Sequence, residues 1–117
     1  MPTLYLLDGC STCQRIRQEL DAGEELQTVD IKTTPLPPAT LDRMAALTGS
    51  YESLFSRRAR KYRSMGLADR QLTEADYRHL ILEEYTFLKR PVLLTDDAVF
   101  VGNAKKTVAA AKAALHD

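Results

Sequence analysis

A short apolar run that stops at a turn and is followed by two cysteines constrains the fold of this chain more than any other feature. Residues 4–7 are apolar, Asp8 and Gly9 interrupt them, and Cys10 opens an amphipathic segment that reaches Arg17. An apolar run bounded by Asp and Gly, followed by a period near 3.6, predicts a strand, a turn and a helix. Because the run is apolar throughout, this strand is expected to be buried on both faces.

The predicted turn places Cys10 at or just before the first helical residue. Unpaired backbone N–H groups and the helix dipole favour an anion there, so a thiolate is stabilised and the pKa of the thiol falls. Cys10 is therefore the predicted nucleophile. Cys13, the other cysteine of the chain, lies one helical turn further on. It has two interpretations: a redox partner that closes a small ring with Cys10, or a small apolar residue that faces the core.

The segments that follow predict a parallel β-α-β unit. The first helix is expected to end at residues 21–25, with Gly23 as the break. It is expected to bury the face that carries Cys13, Ile16 and Leu20 and to turn Gln14 outward. Alternating apolar and polar residues over 26–31 predict a second strand parallel to the first. A proline-rich link over 33–38 then leads into a helical segment.

The second half of the chain predicts a helical insert and then a return to strands. Thr73 and Asp76 form a predicted capping box, which marks a helix start. Apolar strands over 90–94 and 98–101 are joined by a turn, and a last helix spans 105–115. This order predicts an α/β, thioredoxin-like fold with a mixed four-stranded sheet. Its core is expected over about 1–36 and 88–117, with a helical insert over about 37–87, between the second and third strands.

Composition narrows the class of protein. The 117 residues are 44% apolar and 27% charged, which suits a single domain, and sixteen basic residues balance sixteen acidic ones. No global field therefore favours nucleic acid or an anionic membrane. No apolar run approaches the roughly 18 residues of a transmembrane helix, and the N-terminus carries no export signal. A lone cysteine pair suits a reducing compartment, so a cytoplasmic location is expected.

A basic run and two isolated histidines are the remaining chemical features. Residues 57–63 carry five positive charges in seven positions, which indicates either a solvated helix face or a surface that binds an anion. His79 and His116 are the only histidines, and neither shows ligand spacing. No metal site is therefore expected. His79 and Tyr77 are interpreted as core or surface residues and not as catalytic ones.

Three blocks together resemble the ArsC/Spx family. They are residues 10–13 after the first strand, residues 54–67 with their arginine cluster, and residues 90–92 before the third strand. That family comprises glutathione- and glutaredoxin-linked arsenate reductases, uncharacterised relatives and the Spx transcriptional regulators. The resemblance covers nearly the whole chain and implies a single ArsC-like domain over 1–117.

The resemblance implies roles for particular residues. Cys10 takes the place of the nucleophile, and Arg90 that of the arginine before the proline. Arg58 falls at the position of an Spx arginine, whereas Ser56 and Asn103 stand where the reductases carry their other two arginines. The sequence therefore departs from the arsenate reductase pattern at two of its three arginines.

The helix start and the proline complete the predicted site. Ser11 and Thr12 belong to the substrate-binding set, because a helix N-terminus supplies N–H donors to an anion. Pro91 is implied to be a structural cis proline that lies against the cysteine loop. Cys13 is more typical of the Spx-like branch.

Two functions of different classes follow from the resemblance. The first is a thiol-dependent oxidoreductase that holds no bound cofactor, uses glutathione as co-substrate, and has glutathione or glutaredoxin as its partner. Its substrate is an oxyanion or a glutathione adduct. The alternative is an Spx-like regulator that binds the RNA polymerase α-subunit and is switched by the Cys10–Cys13 pair. The chain ends at Asp117, without the longer tail expected of an Spx regulator.

Overall fold

A computed structural model gives the structure of residues 2–116, and the side chain of Glu24 lies outside its description. The chain forms two compact units, which we call the sheet unit (Met1–Thr34 with Arg90–Asp117) and the helical unit (Pro35–Lys89). In chain order the strands and α-helices are β1 (Thr3–Leu6), α1 (Ser11–Leu20), β2 (Gln27–Asp30), α2 (Pro38–Thr48), α3 (Arg60–Ser64), α4 (Glu74–Glu83), β3 (Val92–Leu94), β4 (Val99–Val101) and α5 (Lys105–His116).

The sheet unit contains one mixed four-stranded sheet in the order β2-β1-β3-β4. β1 runs parallel to β2, with Thr3 opposite Gln27, and antiparallel to β3, with Tyr5 opposite Val92. β3 and β4 form an antiparallel hairpin. Three of the helices fall between the second and third strands. The predicted mixed sheet with a helical insert is therefore confirmed.

Helices α1 and α5 lie against each other and share a core with the sheet. The residues of this core are Leu4, Leu6, Cys13, Ile16, Leu20, Leu93, Val108 and Ala111. The predicted inward face of α1 is confirmed, because Cys13, Ile16 and Leu20 recur at helical spacing and all three are buried. At the far end of the same pair, His116 Nε2 lies 2.8 Å from the carbonyl oxygen of Leu20, the last residue of α1.

The first strand differs from its prediction. It was expected over 4–7 with both faces buried, but it spans Thr3–Leu6 and alternates: Leu4 and Leu6 are buried, while Thr3 and Tyr5 are half-buried. Successive side chains of a strand point to opposite faces, and a uniformly apolar run hides which face is covered. Leu7 lies outside the sheet because its carbonyl accepts the Cys10 N–H at 3.1 Å and so closes a turn.

The end of α1 agrees with the predicted segment 21–25, but a different residue caps it. The helix ends at Leu20, and its C-cap is Asp21 in the left-handed region with φ 48°, not Gly23. Aspartate is one of the few residues other than glycine that tolerate this conformation. Gly23, with φ 60°, instead opens a short 3₁₀ turn that leads into β2.

The helical unit follows its sequence signals closely. α2 begins at Pro38, where a missing N–H is tolerated, and ends before Gly49 at φ 99°. α4 begins with the predicted capping box of Thr73 and Asp76. Phe55 is fully buried among aromatic rings, with ring centroids 5.0 Å away in both Tyr77 and Phe87. No helix within residues 2–116 is long and apolar enough to cross a bilayer.

Candidate active site

Cys10 is the N-cap residue of α1. Its backbone is extended, with φ −93° and ψ 114°, and its sulfur accepts the backbone N–H of Cys13 at 3.4 Å. The sulfur thus takes the place that a hydroxyl or carboxylate oxygen usually occupies at a helix start. No acidic residue lies in the first turn of α1. The positive end of the helix is therefore left to the Cys10 side chain.

The surroundings of Cys10 favour its thiolate. Partial burial opposes ionisation, but hydrogen bonds from the side chain and backbone of Cys13 and from the backbone of Thr12, together with the charge of Arg90, outweigh it. The net effect holds the pKa of Cys10 below its ordinary value. A half-exposed thiol with a lowered pKa is the usual environment of a reactive cysteine.

Cys13 has the opposite character although it lies one helical turn away. Its side chain is 0% exposed within the core of the sheet unit. Burial is the main cause that raises the pKa of Cys13 to about 11, and the neighbouring Cys10 adds to it. Neither of these two cysteines is in a disulfide. The two sulfurs therefore form an asymmetric pair, with one poised to react and the other kept protonated.

Arg90 and Pro91 stand at the start of β3. The Arg90–Pro91 peptide bond is cis, which confirms the expectation from the resemblance, and the Pro91 carbonyl accepts the Gly102 N–H at 2.9 Å. Because β3 runs antiparallel to β1, its first residues lie beside the last residues of β1, at the end of the sheet from which the chain leads to Cys10. The charge of Arg90 favours the thiolate of both cysteines, although burial keeps the pKa of Cys13 above its ordinary value.

Ser11 and Thr12 are the first two residues of α1. Ser11 is exposed and Thr12 is half-buried, and the Thr12 backbone is one of the groups that lower the pKa of Cys10. Their N–H groups belong to the helix start, where no preceding turn is available to accept them. The structure thus brings Cys10, Cys13, Ser11, Thr12 and Arg90 together within the sheet unit. Their roles toward a substrate remain predictions.

Arg58 belongs to the helical unit, where it is exposed just before α3. Two neighbours in the basic run are engaged inside that unit: Arg57 forms an ion pair with Glu52 at 2.7 Å, and Lys61 forms one with Glu84 at 2.6 Å. These contacts show that the run is not a uniform surface of unpaired cations. The anion-binding role of Arg58 stays a prediction.

One contact at the site was missed by the sequence reasoning. Gln14 was expected on the outward, solvent-facing side of the first helix. Instead it is half-buried, and its Nε2 donates to the carbonyl oxygen of Asp8 at 3.0 Å. The one sequence signal for this hydrogen bond is an amide side chain placed one turn after the residue that begins the helix.

Comparison with known proteins places this site within a family. The global transcriptional regulator Spx of Streptococcus pyogenes is 26% identical over 104 residues, which cover 87% of this chain and 78% of that protein. A solved structure named YffB superposes with a TM-score of 0.81 at 27% identity, covering 95% of this chain and 98% of the other. A possible arsenate reductase from Streptococcus mutans superposes with a TM-score of 0.75 at 27% identity, covering 90% and 92% of the two chains.

These likenesses confirm the thioredoxin-like fold predicted from the order of the elements. The sequence also matches the model of the ArsC family over residues 5–111, which is most of its length. The chain belongs to the ArsC family.

Proposed function

We propose that this chain is a thiol-dependent oxidoreductase in which Cys10 is the nucleophile toward an oxyanion or a glutathione adduct. The observation that carries the proposal is the asymmetry of the two thiols. Cys10 is half-exposed with a lowered pKa, and Cys13 is buried with a pKa raised to about 11. A thiolate, and not a thiol, is the nucleophile in disulfide exchange and in attack on an electrophilic centre.

With a glutathione adduct the reaction is a thiol–disulfide exchange. The Cys10 thiolate attacks the glutathione sulfur of the mixed disulfide, a new S–S bond forms to Cys10, and the substrate leaves as a thiolate. A second glutathione then attacks the glutathione sulfur now bound to Cys10. It releases oxidised glutathione and restores the Cys10 thiolate. Each round consumes two glutathione equivalents, one supplied by the adduct, and returns one disulfide.

With an oxyanion the first step is displacement at the central atom. The Cys10 sulfur bonds to that atom and an oxygen leaves as water after protonation. A second thiol, from glutathione or from Cys13, then bonds to the Cys10 sulfur, and the two electrons of the broken sulfur–centre bond pass to the central atom. One further glutathione reduces a mixed disulfide between Cys10 and glutathione, and two reduce a Cys10–Cys13 disulfide; either route releases oxidised glutathione. Arg90 and the N–H groups of Ser11 and Thr12 supply the positive charge and donors that a tetrahedral anion needs.

Arg58 is proposed as an anion-binding residue of the helical unit. An arginine fork matches the geometry of an oxyanion or carboxylate better than a point charge does. The resemblance assigns the position, and exposure of Arg58 is compatible with that role. Glutathione or glutaredoxin is the proposed electron donor, and the cytoplasm is the proposed location because its thiol pool keeps the pair reduced.

A second function is an Spx-like redox switch. It is favoured by the likeness to a protein named as a global transcriptional regulator, at 26% identity over 104 residues. It is also favoured by the proximity of the two cysteines, which lie one helical turn apart with the Cys13 backbone N–H 3.4 Å from the Cys10 sulfur, because neighbouring thiols can close a disulfide. In this function the partner is the RNA polymerase α-subunit, and oxidation of the pair changes its affinity.

The two functions are separated by turnover. Glutathione oxidation is measured with arsenate and, separately, with a small glutathione mixed disulfide, using the wild type, Cys10→Ser and Cys13→Ser. The oxidoreductase proposal expects turnover of at least one substrate, loss of it in Cys10→Ser, and retention of it in Cys13→Ser with glutathione as the resolving thiol. Equal rates in the wild type and Cys10→Ser would contradict it.

The regulator is tested by capture of the purified α-subunit on the immobilised full chain, reduced or oxidised. Redox-dependent capture that Cys13→Ser abolishes, together with no turnover of either substrate, would favour the switch.

A further inference from the structure

The two edge strands of the sheet differ in their side chains. β2 forms one edge and β4 the other. Three of the four residues of β2 are polar, among them Asp30, whereas β4 consists only of Val99, Phe100 and Val101. Charged side chains, prolines and bulges are the usual features that keep an edge strand from pairing with another chain. β4 has no charge and no proline, and its register with β3 is continuous, so it is the less protected edge.

The hydrogen bonds of the β3–β4 hairpin determine which backbone groups of β4 point outward. At the turn, the Ala98 carbonyl accepts the Thr95 N–H at 2.9 Å, so Ala98 is a hydrogen-bonded position. Such positions recur at every second residue of an antiparallel ladder, which makes Phe100 the next one. The N–H and C=O groups of Val99 and Val101 therefore point away from β3. Among residues 2–116, no hydrogen bond engages these outward groups.

The charges on either side of β4 determine how a second strand can lie against it. Asp96 and Asp97 precede the strand, Lys105 and Lys106 follow it, and all four residues are exposed. A second copy of the chain in parallel alignment would place carboxylate beside carboxylate and ammonium beside ammonium. In antiparallel alignment the acidic end of one strand lies near the basic end of the other. The charges around β4 thus favour pairing with an antiparallel copy of itself.

We propose that β4 is the interface of a homodimer in which the β4 strands of two copies pair antiparallel across a two-fold axis. With Phe100 of one copy opposite Phe100 of the other, Val99 of each copy faces Val101 of the other. Every outward N–H group of the two strands then has a carbonyl acceptor on the other copy. The two four-stranded sheets join into one continuous sheet. The interface goes beyond the proposed function, because Cys10 takes no part in it.

The test is sedimentation equilibrium of the reduced full chain at increasing protein concentration. Two strands of three residues form a small interface, so the dimer is expected to be weak and to appear only toward about 0.5 mM. Amide hydrogen exchange, followed by NMR at the same concentrations, locates the interface. Exchange at Val99 and Val101 is expected to slow as the dimer forms, and exchange in β2 is expected to stay constant.

Two sets of variants test the pairing and the charges separately. Val99→Pro removes an N–H that points outward, so it breaks no bond of the sheet, and it is expected to raise the dissociation constant of the dimer about tenfold. Asp97→Lys is expected to raise it about two- to fivefold, and adding Lys105→Asp to restore it. Asp69→Lys makes the same charge change on an exposed residue of the helical unit and serves as the control, with an unchanged constant.

Three results would overturn the inference. The first is a chain that stays monomeric at every concentration, which would leave the β4 edge to an extended segment of a different protein. The second is a dimer in which Val99 and Val101 exchange as fast as in the monomer. The third is a double charge variant that does not recover the wild-type constant. Because none of these measurements uses a substrate, the dimer and the proposed function stand or fall separately.

Discussion

The starts of α1 and α4 solve the same structural problem with different chemistry. At α4, the Thr73 hydroxyl accepts the Asp76 N–H at 3.2 Å and the Asp76 carboxylate accepts the Thr73 N–H at 2.9 Å. At α1, the Cys10 sulfur accepts the Cys13 N–H at 3.4 Å, and nothing returns the bond. The start of α4 is a complete capping box with acidic residues in its first turn. The start of α1 has one capping bond and no acidic residue in its first turn.

The difference indicates what each helix start contributes. Oxygen acceptors and carboxylates satisfy backbone donors and complement the dipole, so the start of α4 stabilises the fold. A sulfur is a weaker acceptor, and an absent carboxylate leaves the positive end of α1 uncompensated. That residual field is what lowers the pKa of an N-terminal thiol. The start of α1 therefore gives up stability in return for a reactive group, as functional sites commonly do.

Replacing the Cys10 sulfur with an oxygen, which is a better capping atom, is expected to have the largest effect. Cys10→Ser is expected to lower turnover by a hundredfold or more, on the order expected for loss of a nucleophile. Because serine is a preferred N-cap, the free energy of unfolding is expected to stay the same or to rise. Steady-state kinetics and urea denaturation of the same samples test both parts. Loss of activity accompanied by a large loss of stability would contradict the claim that the start of α1 gives up stability for reactivity.

Removing the cap of α4 gives the complementary result. Thr73→Ala is expected to lower the free energy of unfolding by about 1 kcal/mol, because it leaves the Asp76 N–H without its acceptor. The rate at which iodoacetamide alkylates Cys10 is expected to remain at the wild-type value. Thr73→Ser retains the hydroxyl and serves as the control, with little change in stability. Slower alkylation of Cys10 in Thr73→Ala would show that the two helix starts are not independent.

Giving α1 an acidic first turn should make the two starts alike. Glu74 occupies the first helical position of α4, so the matching change in α1 is Ser11→Glu. The added carboxylate complements the dipole but raises the pKa of Cys10, so alkylation at pH 7 is expected to slow about two- to fivefold. Gln18→Glu, placed near the other end of α1, should leave the rate unchanged. High salt should reduce the difference between Ser11→Glu and the wild type.

A last prediction concerns stability at alkaline pH. The native state keeps the Cys13 proton up to a pKa of about 11, whereas the unfolded chain loses it near the ordinary thiol value. Between these two values the unfolded state binds fewer protons, so the free energy of unfolding falls as pH rises. Cys13→Ala removes this contribution. The slope of stability against pH across that window should therefore be shallower than in the wild type, and an equal slope would contradict the raised pKa.

Much of the sheet unit was predictable because its signals are local. The turn at Asp8 and Gly9 fixed the start of α1 at Cys10, and helical spacing fixed the burial of Cys13. Local patterns gave a wrong prediction where two different structures are compatible with the same sequence pattern. The apolar run of β1 did not reveal which face is covered, and a left-handed Asp21 ended α1 before the glycine that was expected to do so.

Contacts between residues distant in sequence were not predictable. Asp42 accepts bonds from Arg78, 36 residues away, and Lys61 pairs with Glu84, 23 residues away. No periodicity reports such pairs, because they depend on how elements pack. The cis bond before Pro91 was expected only through the resemblance, since sequence alone leaves both isomers open. The hydrogen bond between Gln14 and Asp8 joins residues only six positions apart, but a polar residue on an amphipathic helix is predicted to face solvent.

The central claim is that two thiols one turn apart differ in pKa because one caps a helix and the other is buried. The most direct test is a titration of the reduced protein labelled with ¹³C at the cysteine β-carbons, which follows each thiol separately by NMR. The account predicts that Cys10 titrates below the ordinary thiol value and Cys13 at about 11. Titration of Cys10 at or above the ordinary value, or of both thiols together, would contradict it.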